Sequence, residues 1–176
     1  MDSGFTQFDF SLRDGRTVHI RAMRTSDEAA FLKAYERLGP VARYMRFMRV
    51  MGDPNIERLR KALAAFPESG LGIVATVPAG DGIDIVGSAM FLIGSDPTSC
   101  EFAMTVAAEY GGLGLGRALL TTVVGAAKQR GLHELEGFVL AKNQPMLRLA
   151  TRLGFSISPD PDDASVRICR LRLADA

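Results

Sequence analysis

The chemistry of this chain is easiest to read where glycine is densest, in Tyr110-Gly111-Gly112-Leu113-Gly114-Leu115-Gly116-Arg117. This run follows an apolar, strand-like segment at residues 100–106 and opens an amphipathic helical pattern over residues 115–130. A glycine-rich turn feeding a helix N-terminus gathers backbone N–H groups, and the helix dipole adds partial positive charge, so the combination suits an anion. Glycine also leaves no side chain to hold phosphate oxygens away from the backbone. Spacing excludes two common ligands. A dinucleotide fingerprint would need glycine at Arg117 or at Leu119. A P-loop fits the Gly111 and Gly116 spacing, but Arg117-Ala118 follows in place of Lys-Ser/Thr, which removes the phosphate lysine and the magnesium hydroxyl.

The strand before the loop carries a candidate acid-base group. Alternation sends Glu101, Ala103 and Thr105 to one face and Phe102, Met104 and Val106 to the other. A carboxylate inside an otherwise apolar strand needs either a partner or a use. A surface arginine would satisfy the first; general-base catalysis would be the second. Asn143 stands between a strand and a helix, where Asn is a good N-cap. Arg43, Arg46 and Arg49 recur at every third residue, as a solvated helical stripe or as a surface for acidic groups. His19 and His133 read as structural or exposed, and Glu109 as a loop residue.

The remaining pattern, x-x-Gly-x-Gly at a strand end, resembles the GNAT family of acyl-CoA-dependent N-acetyltransferases. The likeness extends over residues 21–27 and 100–155, including Ala141-Lys142-Asn143-Gln144-Pro145-Met146 and Leu153-Gly154-Phe155. Leu38-Gly39-Pro40-Val41-Ala42-Arg43-Tyr44-Met45-Arg46-Phe47, with Cys100-Glu101-Phe102-Ala103, is similar to the acetyltransferase domain of bacterial protein-lysine acetyltransferases.

The resemblance implies acetyl-CoA as co-substrate, no metal, and Glu101 as the base that deprotonates the amine for direct attack. It implies main-chain contacts from Met104, Thr105 and Val106 to the pantetheine arm, with the Val106 N–H as oxyanion donor. It also implies a pyrophosphate cradle from Gly111, Gly112, Leu113, Gly114, Leu115, Gly116 and Arg117, and an added contact from Asn143. A protein lysine is the implied acceptor, an acyl-CoA synthetase being one such protein. A small-molecule amine and a non-catalytic acyl-CoA sensor are the competing readings. Two positions depart from the family: Gly111 stands where many relatives have Gln or Arg, and Ala150 where many have a thiolate-protonating Tyr.

These residues require elements to hold them. A strand at residues 18–21 follows the Asp14-Gly15 turn, and Thr25-Ser26-Asp27-Glu28 reads as a capping box opening a helix that Gly39-Pro40 stops. A second helix covers residues 54–66. Paired strands at 71–77 and 83–93 flank Ala79-Gly80-Asp81-Gly82, and the strand at 100–106 returns against them. A helix at 115–130 ends at Gly131, a strand covers 135–140, and a helix at 143–153 tolerates Pro145 in its first turn. Strands at 156–158 and 166–173 close the chain. The order is β-α-α-β-β-β-α-β-α-β-β, an α/β fold with four helices and about seven strands. The resemblance makes the sheet mixed, with the strand before the glycine loop splayed from the next.

Composition sets the outer bounds. At 176 residues and 47% hydrophobic content the chain reads as one domain, residues 1–176, with a substantial core. A net charge of +1 gives no argument for nucleic acid or a membrane surface. No apolar run reaches membrane-spanning length, and the N-terminus lacks signal-peptide character. Cys100 and Cys169 have no metal or redox spacing, which fits a reduced cytoplasmic setting; a disulfide between them stays open. The expected assembly is a monomer or a homodimer.

Overall fold

The computed structural model describes residues 4–39, 41 and 56–173. Its strands are β1 (Phe8–Ser11), β2 (Thr17–Ala22), β3 (Gly70–Ala79), β4 (Gly82–Ile93), β5 (Ser99–Val106), β6 (Glu134–Leu140), β7 (Ser156–Pro159) and β8 (Val166–Arg172). Among the described residues the helices are α1 (Glu28–Arg37), α2 (Ile56–Ala65), α3 (Leu115–Gln129) and α4 (Gln144–Arg152). Arg43, Arg46 and Arg49 lie outside the described residues, as does most of the 38–47 segment.

The eight strands form one sheet in the order β1-β2-β3-β4-β5-β6-β8-β7, antiparallel everywhere except between β5 and β6. The sequence leads to seven strands; the eighth is β1. It is short, mostly exposed and paired only with β2, and its signal in the sequence is the alternation Phe8-Asp9-Phe10-Ser11-Leu12. The expected hairpin between β3 and β4 forms, with Gly80 and Asp81 between the strand ends.

The core lies between the sheet and α3. Leu115, Leu119, Leu120, Val123 and Ala127 bury one stripe of that helix, and Gly87 on β4 lets it come close. A Cβ at Gly87 would sit 3.0 Å from Leu119 Cδ1. The far end of α3 is held by Arg130, whose guanidinium donates to the carbonyls of Pro67, Glu68 and Gly70.

On the other face, α1 packs on β4, and Lys33 and Arg37 brace it to the β3–β4 turn through Asp81 and Asp84. The start of α1 corrects the expected capping box. Thr25–Asp27 forms a short 3-10 turn without a side-chain cap, and the Asp27 carboxylate accepts from the Arg24 N–H at 2.8 Å. Asp27 is buried and pairs with the buried Arg21 through two hydrogen bonds of 2.9 and 2.8 Å. Burial pushes its carboxyl up, but the Arg21 and Arg24 bonds more than offset this and hold it below the usual carboxylate range.

Candidate active site

Two strands that run side by side part company in the middle of the sheet. The parallel ladder of β5 and β6 has only the rungs Ser99–Glu134, Cys100–Leu135 and Glu101–Glu136. Strand β6 continues against β8 along its full length, and β5 continues against β4 to Val106. The ladder ends where the Phe102 ring lies across Gly137. A Cβ on Gly137 would come within 2.3 Å of that ring, and the ring packs edge-on against Phe155 at 5.4 Å between centroids. The expected splay is therefore present, and a bulky side chain crossing a glycine marks its apex.

Hydrogen-bond alternation decides which groups of β5 face the gap. The Ala107 N–H donates to the Val86 carbonyl at 2.9 Å, and Val106 lies opposite Gly87. Main-chain groups on an antiparallel strand alternate sides. Those of Ala103 and Thr105 therefore turn to β4, and those of Phe102, Met104 and Val106 turn toward β6, past the last rung. Thr105 instead contributes its side chain to the cavity described below.

The side chains follow the expected two faces. Met104 and Val106 lie beside Gly116 at the start of α3, where a Cβ would be 3.4 Å from Met104 Cε. Glu101, Ala103 and Thr105 line a cavity of about 670 Å³ under α1 and α2. That volume falls within the range of small-molecule sites. Among its described lining residues Glu101, an exposed residue, is the one carboxylate; Arg58 and Lys61 bring positive charge, and the rest is largely apolar.

The glycine loop closes the other end of the gap. Gly112 has φ 71° and Gly114 has φ 93°, backbone that favours glycine. Gly114 is the N-cap of α3, and the first helical bond runs from the Ala118 N–H to its carbonyl at 3.1 Å. The N–H groups of Leu115, Gly116 and Arg117 have no acceptor among the described residues, as a helix start leaves them. The Met104 and Val106 side chains meet Gly116 at this helix start, so the gap-facing strand and the open N–H groups belong to neighbouring elements. Asn143 caps α4, its Oδ1 accepting from the Met146 N–H at 3.3 Å. Ala150 is fully buried and offers no proton.

Cys100 and Cys169 are both free and buried, which answers the open question of a disulfide. Burial pushes their thiols up, to about 12 and about 11. No group of three or more metal-ligating side chains occurs among the described residues. No described helix is long and apolar enough to cross a membrane.

Two contributors to the site escape sequence reasoning. One is the Phe102–Gly137 contact, although a mid-strand glycine is a signal of close approach. The other is the β1–β2 hairpin, which lies against the glycine loop: the Arg13 N–H donates to the Leu113 carbonyl at 3.1 Å.

Comparison with known proteins agrees with this geometry. Residues 43–155 match the acetyltransferase (GNAT) family. An acetyltransferase of Pseudomonas aeruginosa is 31% identical over 163 residues, covering 93% of this chain and 88% of its own length. The crystal structure of the GNAT domain of S. lividans PAT superposes with a TM-score of 0.84 at 20% identity, over 94% of this chain and 96% of that one. The structure of yncA, a putative acetyltransferase from Salmonella typhimurium with its cofactor acetyl-CoA, gives 0.67 at 19% identity, over 90% and 95%.

Proposed function

The chain belongs to the GNAT family of acetyltransferases, and from that premise we propose that it moves an acetyl group from acetyl-CoA to a protein lysine, with Glu101 as general base. The observation that carries this reading is Glu101 standing on β5 as the one carboxylate among the described residues of the cavity, on the strand that also turns Met104 and Val106 into the gap.

Acetyl-CoA brings an acyl group activated as a thioester. The main-chain groups of Met104 and Val106 hold its pantetheine arm as an added strand would be held. The N–H groups from Gly112 to Arg117 receive the diphosphate, and the Asn143 side-chain NH2 adds a donor while its Oδ1 caps α4. Glu101 accepts a proton from the acceptor ammonium, directly or through a water. That step is needed because a lysine, with a pKa of about 10.4, is neutral in only about one molecule in 2,500 at pH 7. The amine nitrogen then forms the new bond to the acyl carbon while the Val106 N–H donates to the carbonyl oxygen. One such donor is worth roughly 3 kcal/mol in the transition state. The carbon–sulfur bond then breaks, and the extra proton left on the attacking nitrogen passes through water to the departing thiolate, whose pKa of about 8.5 lets it leave as an anion before it is protonated. Direct attack is supported by Cys100: it neighbours Glu101, but its buried thiol is held neutral and makes a poor nucleophile.

The charge of the cavity favours a protein over a polyamine. Among the described lining residues a polycation would meet a single carboxylate together with Arg58 and Lys61. A lysine flanked by apolar and acidic residues suits the same walls better. The free cysteines fit a reducing cytoplasm.

Glu101→Gln is the test. Donor affinity should stay within about twofold, and kcat near pH 7.5 should fall by about 10² or more. The loss should shrink as pH approaches 10, where the amine deprotonates unaided. Thiol release in a lysate panel against an amine panel identifies the acceptor class. Equal turnover of wild type and variant across pH would remove Glu101 from the role, and donor binding without any turnover would favour a sensor.

A further inference from the structure

Leu12 is buried in the core and fixes the β1–β2 turn in place. On one side of it the Arg13 N–H bonds the Leu113 carbonyl at 3.1 Å. On the other, Arg16 donates to the Glu109 carbonyl at 3.0 Å and lies over the Tyr110 ring, 4.3 Å from its centroid. The hairpin therefore grips both ends of the stretch that leads into α3.

The two arginines differ in their own partners. Arg16 is committed to Asp14 at 2.7 Å. The Arg13 side chain has no carboxylate and no hydrogen-bond acceptor among the described residues, and it is exposed. Its position is defined by Gly114: a Cβ there would lie 3.9 Å from Arg13 Nε and 3.9 Å from Phe10 Cζ. A guanidinium thus rests against the N-cap of α3, a helix whose first N–H groups have no acceptor among the described residues. Gly111, one turn earlier, contributes no side chain.

We propose that Arg13 is a phosphate-binding residue, presented by the β1–β2 hairpin to the diphosphate of the CoA donor. A guanidinium offers planar, paired donors to phosphate oxygens, and pairing with a doubly charged group strengthens each bond. The site would then be assembled from two distant pieces of chain, the amide cradle from the loop and the cation from the hairpin. The inference rests on the reading of the glycine loop as the donor's diphosphate site.

Calorimetric titration of the full chain with CoA, 3′-dephospho-CoA and no acceptor present tests it. Arg13→Ala should weaken both ligands by the same factor, about tenfold, and Arg13→Lys should recover part of the loss. The affinity of wild type should also fall more steeply with salt than that of Arg13→Ala. With S-acetylpantetheine, which lacks phosphate, kcat/KM should be equal in the two proteins. Equal CoA affinity in wild type and Arg13→Ala overturns the proposal. So does a loss confined to CoA, which would assign Arg13 to the 3′-phosphate, and so does an equal loss with S-acetylpantetheine, which would make the role structural. Failure of wild type itself to bind CoA would sink the reading of the loop instead.

Discussion

Cys100 stands next to Glu101 on β5, yet the two side chains live in different media. Glu101 is exposed on the cavity wall, whereas Cys100 is buried and its Sγ–H donates to the Glu134 carbonyl at 3.4 Å. Desolvation disfavours the thiolate, which raises the folded pKa of Cys100 to about 12 and of Cys169 to about 11, above an ordinary value of 9.0. The sign follows from linkage: with the folded value raised, this contribution to stability is complete below pH 9 and drains away as pH climbs toward 11 and 12. Urea midpoints should fall between pH 8.5 and 10.5, and a Cys100→Ala/Cys169→Ala chain should fall less. A thiol dye at pH 8 should label neither cysteine until urea is added; rapid labelling of the native protein would contradict the burial. Alternation along β5, a local property, indicated the face that Glu101 takes, and the cavity lies on that face; its assignment as base came from the family resemblance. Neither could point to Arg13, whose proposed role depends on its approach to Gly114, distant in sequence.

At the scale of elements, the gap between β5 and β6 is built by packing. Phe102 belongs to the apolar face of its strand, but its ring leans across Gly137 because no Cβ stands in the way. Gly137→Ala would press a methyl into a ring held in turn by Phe155. Overpacking of this kind costs about 1–3 kcal/mol. Equilibrium urea denaturation should register that loss, and Phe102→Leu in the Gly137→Ala background should restore part of it, since contacting residues couple. Additive losses would show that the ring and the glycine do not determine each other. Most elements were legible from period and punctuation: α3 with Gly114 before it and Gly131 after it, and the β3–β4 hairpin. Strand β1 was missed, although Phe8, Phe10 and Leu12 alternate with polar residues just ahead of the Asp14-Gly15 turn, a hairpin signal. The Thr25 cap was misassigned for another reason. Ser and Thr signal caps locally, while Asp27 closes the turn by accepting from the Arg24 N–H and pairing with the buried Arg21 on the preceding strand.

Across the whole molecule, the sheet has unpaired backbone inside it as well as at its two ends. The outer edges are β1 and β7, both four residues long. The inner ones flank the split: the β6-facing side of β5 beyond Glu101 and the β5-facing side of β6 beyond Glu136. Unpaired strand edges are templates for other chains, and proteins usually blunt them with charge, proline or cover. Here the proposed cover is the donor itself. The protein stripped of CoA should therefore be colloidally fragile, scattering light on gentle warming at concentrations where the liganded form stays clear. CoA at a hundredfold excess over its Kd should add about 2.7 kcal/mol to stability and raise the midpoint temperature accordingly. Purification and storage would then turn on ligand occupancy more than on salt or pH, and an apo sample as resistant to clumping as the complex would mean that the inner edges are shielded by the fold alone.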